Sequence, residues 1–336
     1  MTQAQPPRRW QTDIATPAPT PAPVEYLATH CPAPSSCHDV GSGGDHRRPR
    51  LCGGQNGASM SDPQPPVDRG ARSADDDSYL LNSAGTDVEM ETARLRELQQ
   101  ASDSSTISHL DAIGVGPGWR CLEVGAGAGS IARWLGSRVG PTGSVLATDV
   151  NIGRLGNLPG NVEVSRHDIR NEELKPAAYD LVHCRFVLMH LADPAAALNK
   201  MTAALAPGGW LVVEEGDFGL VEFSGAPESA RATEIVRTLH AQWAAAGIVN
   251  SYFGRRLPGL VLALGLESFG VDVSTQTGRP GQPAHEATRL GWPNIRAGFA
   301  ATGTSEDDLR CVDAAVADSG FVIGITTVGV WGRLRR

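Results

Sequence analysis

From Trp119 to Glu215 short apolar runs alternate with amphipathic stretches in a fixed succession. The apolar runs are Trp119 to Val124, Ser144 to Val150, Val162 to Ser165, Tyr179 to Phe186 and Gly209 to Glu215. Between them, Ile131 to Val139 and Ala195 to Leu205 carry apolar side chains at helical spacing. A chain that passes repeatedly from strand to helix to strand must bury both faces of a parallel sheet, so the expected fold is α/β, Rossmann-like and doubly wound. Upstream, Met90, Leu95, Leu98, Ile107, Leu110 and Ile113 predict a helix that Gly114 and Pro117 end. Beyond Asp217 helices dominate, over Pro227 to Ala246, Leu257 to Leu266, Glu286 to Ala301 and Thr304 to Asp318. Strand-like runs return at Ser268 to Ser274 and Phe321 to Trp331.

The first 77 residues differ in kind. Twelve of the 23 prolines precede residue 67, among many Ser, Gly and Asp. Too little apolar surface is present there to offset the entropy of ordering, so residues 1–77 are expected to form a disordered extension. His30, Cys31, Cys37, His38, His46 and Cys52 lie in it, but without the short cysteine pairs of structural zinc sites, and no metal is expected. The net charge of −8 disfavours nucleic acid and anionic membrane surfaces as partners. No apolar stretch reaches the length of a membrane span. Scattered cysteines without a disulfide pattern suit reduced thiols and a cytoplasmic location. The chain is read as a monomer or homodimer.

The segment with the most chemical content is Cys121-Leu-Glu-Val-Gly-Ala-Gly-Ala-Gly-Ser130, set between a strand and a helix. Gly125, Gly127 and Gly129 let the backbone turn tightly and approach a ligand closely. Such a turn alone is compatible with an NAD(P)-dependent oxidoreductase. Glu123 argues otherwise, because a carboxylate in the pocket attracts a cationic ligand and repels a pyrophosphate.

Glu123-Val-Gly-Ala-Gly-Ala-Gly129 resembles the E/D-x-G-x-G-x-G motif of class I S-adenosylmethionine-dependent methyltransferases. The likeness continues through Asp149, which closes Val145-Leu-Ala-Thr-Asp-Val150, and Asp168 in Ser165-Arg-His-Asp-Ile169. It extends to Tyr179–Arg185 and Leu205–Val213 as a fourth strand, turn and fifth strand. The resemblance implies S-adenosyl-L-methionine as cofactor, with Gly125, Ala126 and Gly127 beside it and Asp149 and Val150 at its ribose. It further implies Asp168 at the adenine amino group and Ile169 on the ring. It also implies a seven-stranded sheet with a reversed last strand near Ile323 to Trp331. The domain would then span residues 78–336. Residues 78–217 form its cofactor-binding half, 218–320 a helical substrate-covering region with one strand, and 321–336 the closing strand. Small-molecule enzymes that methylate quinone precursors share this arrangement, so the methyl acceptor is expected to be a small organic molecule, attacked through O, C or N. A regulatory protein that binds the cofactor without chemistry is the other alternative.

For a general base the strand ends offer His183, His190, Glu215 and Asp217, with His190 the leading candidate because an imidazole titrates near neutrality. Arg185 could line the cofactor pocket or form an ion pair at a strand end, and Tyr79 could cover the cofactor or pack on the first helix. Trp243, Tyr252, Phe253, Trp292 and Phe299 could line a substrate pocket, though aromatic residues at helical spacing more often belong to a core.

Overall fold

The computed structural model describes residues 88–336. The 1–77 extension, its His and Cys residues and Tyr79 lie outside the described residues.

The regular alternation of the sequence becomes α1 (Val88–Ala112), β1 (Arg120–Val124), α2 (Ser130–Val139), β2 (Ser144–Asp149), β3 (Val162–Arg166), β4 (Tyr179–Arg185), α3 (Pro194–Ala204) and β5 (Leu205–Asp217). There follow β6 (Glu222–Ser224), α4 (Ser229–Ala245), α5 (Leu257–Leu262), β7 (Glu267–Gly278), α6 (Pro283–Ala301), α7 (Glu306–Asp318) and β8 (Phe321–Arg333). Local chemistry fixes several boundaries. Asp193 caps α3 by accepting from the Ala196 amide, with Pro194 in the first turn where no amide hydrogen is needed. Ser305 caps α7 by accepting from the Asp308 amide.

The sheet runs β3-β2-β1-β4-β5-β8, with β1 to β5 parallel and β8 antiparallel to β5. β7 lines the other edge of β8, also antiparallel to it. This is the expected doubly wound sheet with its reversed last strand. An eighth strand is present, so residues 218–320 hold two strands where one was expected. β6 pairs with Phe321–Ile323 of β8, directly beyond the Thr326–Arg333 stretch that pairs with β5, so it resumes the edge that β5 leaves at Asp217. Three residues without alternation gave the sequence no signal for it.

Interior parallel strands are buried on both faces and read as continuous apolar runs. Cys121, Leu181 and Val212 face one side, under Leu110 of α1 and Ile131, Leu135 and Val139 of α2. Leu122, Val182 and Leu211 face the other, against Leu198 and Met201 of α3. Their successors in the strands follow the same alternation. Glu123, His183 and Glu214 therefore lie on the α1 side, and the cleft opens at the carboxyl ends of β1, β2 and β4.

Candidate functional site

The glycine turn after β1 is tied to β2, since the Gly125 and Ala126 amides both donate to the Thr148 carbonyl, at 2.8 and 2.9 Å. Gly125, Gly127 and Gly129 hold φ values of 72°, 58° and 82°, a region that side-chain-bearing residues rarely adopt. At Gly125 the space is also closed, because a methyl group there would clash with Val187 Cγ2. Asp149 at the end of β2 completes the turn: one oxygen accepts from the Gly127 amide at 2.9 Å and the other from the Asn151 amide at 2.8 Å.

These residues wall an open cleft at the carboxyl ends of β1, β2 and β4. Of the cofactor residues named from the sequence, all that the structure describes line it except Gly129. Gly129 instead packs against Leu155, whose Cδ2 would lie 3.0 Å from a methyl group added there. Glu123 is buried on the cleft wall, with one carboxylate oxygen 2.7 Å from His183 Nδ1.

Asp168 lines the cleft but is heavily engaged. Arg170 grips both its oxygens through Nε, at 2.9 and 3.0 Å, and donates again through Nη2 at 2.8 Å. The Arg170 amide and Asn171 Nδ2 add two more donors. The Arg170 guanidinium hydrogen-bonded to it, assisted by that backbone amide, holds the carboxyl below its usual range. An adenine amino group could reach Asp168 only by displacing one of these donors, because a carboxylate has about four lone-pair sites.

Arg185, weighed as pocket lining or ion pair, is both. It borders the cleft and donates to Asp103 at 2.8 Å and to Thr106 at 2.7 Å. Phe186, the next residue, sits at φ 58°, an uncommon conformation for a side-chain-bearing residue and one that recurs at functional sites.

The candidate bases separate clearly. His183 is sealed between Glu123 and Glu214, with neither ring nitrogen turned to the cleft. Glu215 accepts the amides of Val187, Leu188 and Met189, and burial pushes it up to about 8 against those donors. Asp217 is paired with Arg255, which also stacks over Tyr252. Only His190, in the 3-10 turn Leu188–His190, borders the cleft. Burial, with Arg94 nearby, pushes its imidazole down to about 4, so at neutral pH it is uncharged but weakly basic. Trp243, Phe253, Trp292 and Phe299 are core, and neither they nor Tyr252 line the cleft.

α1 contributes to the site, in part through residues that the apolar pattern of the sequence does not single out. Leu95, Leu98 and Gln99 line the cleft, while Asp103, Thr106 and His109 bond to the sheet below. These three polar positions recur at helical spacing, a stripe of the right period that a search for apolar residues passes over.

Residues 83–267, more than half of the chain, match the methyltransferase domain family. The chain belongs to that family. Methyltransferase str2 of Strobilurus tenacellus is 31% identical over 177 residues, covering 51% of this chain and 62% of that protein. A ubiquinone/menaquinone biosynthesis C-methyltransferase of Ectopseudomonas mendocina is 33% identical over 111 residues, covering 30% of this chain and 43% of the relative. A solved putative methyltransferase of Bacillus halodurans overlays 69% of this chain and 100% of that chain at 14% identity, with a TM-score of 0.47. In both sequence pairs the match covers less than two thirds of the relative's length.

The cofactor of class I methyltransferases, S-adenosylmethionine, carries an ammonium, a sulfonium and a ribose diol. The buried Glu123 carboxylate suits the cationic end, and Asp149, held at the tip of β2, suits the diol. A pyrophosphate placed at the same turn would face Glu123 and be repelled.

Proposed function

We propose that this methyltransferase binds S-adenosylmethionine in the cleft between β1, β2 and β4 and moves its methyl group to an O, C or N atom of a small organic molecule. The observation that carries the reading is one geometry: two carboxylates, Glu123 and Asp149, flank a glycine turn whose amides are already tied to β2. Gly125, Ala126 and Gly127 would lie against the cofactor, Val150 and Asp149 at its ribose, and Ile169 on the adenine ring. Asp168 would serve the adenine through Arg170 or after Arg170 turns aside.

The bound sulfonium supplies an activated methyl group. The protein's part is then to bind, align and exclude water, and such orientation is worth up to roughly 7 to 11 kcal/mol in ideal systems. The low pKa of His190 agrees with a mechanism in which alignment dominates and base assistance is small. Small acceptors are favoured by the quinone-biosynthesis relatives and by the net charge of −8, which offers little to a polynucleotide. We also place the protein in the cytoplasm: Cys121, Cys184 and Cys311 are buried free thiols, and among the described residues no helix is long and apolar enough to cross a membrane.

The acceptor class is tested by incubating the protein with methyl-labelled S-adenosylmethionine and a heat-treated cell extract that keeps its small molecules, then separating small molecules from protein and nucleic acid. Label in the small-molecule fraction supports the proposal. Label confined to protein or nucleic acid overturns it.

A further inference from the structure

Five neighbouring strands place one row of groups across the α1 side of the sheet. In the order β1, β4, β5, β8 and β7 the row reads Glu123, His183, Glu214, Gly329 and Asp272, with His183 opposite Glu123, and Gly329 opposite both Glu214 and Asp272. Gly329 leaves a gap, and His109 of α1 fills it; a methyl group at that position would lie 2.8 Å from His109 Cε1. Acid and imidazole then alternate without a break. Glu123 Oε2 is 2.7 Å from His183 Nδ1, and His183 Nε2 is 3.4 Å from Glu214 Oε2. Glu214 Oε1 is 2.7 Å from His109 Nδ1, and His109 Nε2 is 3.1 Å from Asp272. Glu123, His183 and Glu214 are almost wholly buried, and only Asp272, with a side chain 53% exposed, reaches solvent.

A neutral imidazole has one N–H, yet each of these two rings faces a carboxylate from both nitrogens, an arrangement satisfied when both rings are imidazolium ions. Burial alone would push His183 down; Glu123 and Glu214 reverse that and raise it to about 9. The buried ion triplet is costly to assemble in a sheet interior, where apolar side chains would pack without charge. Of the three, Glu123 alone lines the cleft, and it is the carboxylate best suited to a cation.

We propose that His183 is a positioning residue for the cofactor, its Nδ1–H pinning Glu123 Oε2 so that Oε1, which takes no hydrogen bond from the described residues, is held for the ammonium group of S-adenosylmethionine. Glu214, steadied by His109 and by the Thr106 hydroxyl, fixes His183 from behind. The inference rests on the cofactor reading given above and goes further by assigning the group that holds Glu123.

Two substitutions separate positioning from bulk stability. In His183→Asn the amide nitrogen falls near Nδ1 and keeps the donor to Glu123; in His183→Gln it falls near Nε2 and keeps the contact with Glu214. Glu214 keeps His109 and Thr106 when His183 lets go of it, whereas Glu123 has no other donor among the described residues, so both melting temperatures should fall, that of the Gln variant further. Calorimetric titration with S-adenosylmethionine and S-adenosylhomocysteine should find the Asn variant within about threefold of the unchanged protein and the Gln variant weaker by about tenfold or more, the worth of one charge-assisted hydrogen bond. Equal losses, or a stronger Gln variant, would overturn the proposal. An unchanged protein that binds neither ligand would instead remove the cofactor reading, and this proposal with it. Should neither variant fold, ¹⁵N spectra of the histidine rings in the unchanged protein decide. Both His183 nitrogens should be protonated near neutral pH, and Nδ1 should shift when S-adenosylhomocysteine saturates the cleft. A neutral ring, or an unmoved Nδ1, would contradict the assignment.

Discussion

His109 reaches the sheet through the space that Gly329 leaves, and a methyl group added at 329 would stand 2.8 Å from its Cε1. The contact joins α1, which supplies part of the cleft wall, to β5 and β7 through Glu214 and Asp272.

Gly329→Ala should therefore push His109 off Glu214. Overpacking of this kind costs roughly 1 to 3 kcal/mol, seen as a lower melting temperature. Because Leu95, Leu98 and Gln99 ride on the same helix, affinity for the cofactor should fall as well. A variant with unchanged melting temperature and affinity would show that α1 is not held by this contact.

The buried histidines set opposite slopes on stability against pH. His190 and His240, both pushed down to about 4 by burial, contribute stability that is present above the unfolded value of 6.5 and is lost as pH falls toward 4. His183, raised to about 9, contributes stability that is complete below 6.5 and is lost as pH rises through 9. Glu215, raised to about 8, also favours the folded state less as pH rises toward that value. Melting temperature measured across pH should peak near 6.5. A profile that climbs steadily from pH 6.5 to 9 would contradict the imidazolium at His183.

Asp149→Ala removes the acceptor that steadies the Gly127 amide on the cleft wall and that, in the proposed binding mode, would accept from the ribose diol. Cofactor affinity should drop by roughly 1.5 to 3 kcal/mol, the range for hydrogen bonds to a charged group. Binding compared by calorimetry with that of the unchanged protein checks this, and equal affinities would reassign Asp149 to holding the turn alone.

The chemistry that is local in sequence was legible from it. The glycine turn, the acid before it and the acid closing β2 lie within 30 residues of one another and each carries its own signal of type and spacing. The row across the sheet was not legible, because Glu123, His183, Glu214 and Asp272 come from four strands and His109 from a helix; the pairs are separated by 31 to 163 residues. His183, Glu215 and Asp217 looked like free bases because each stands near a strand end, and only tertiary neighbours reveal that each is already bonded. Asp168 could be identified as an acid at the end of β3, but not the grip of Arg170, since two residues' spacing does not say which way an arginine turns. The aromatic residues of α4 and α6 went to the core, where their area contributes most.

The cleft between β1, β2 and β4 suits a cationic nucleoside, with the Glu123 and Asp149 carboxylates on its wall. Calorimetric titration of the purified protein with S-adenosylmethionine, S-adenosylhomocysteine and, separately, NADH tests it most directly. Binding of the first two and none of NADH is expected. Binding of NADH alone would contradict it and return the glycine turn to the oxidoreductases.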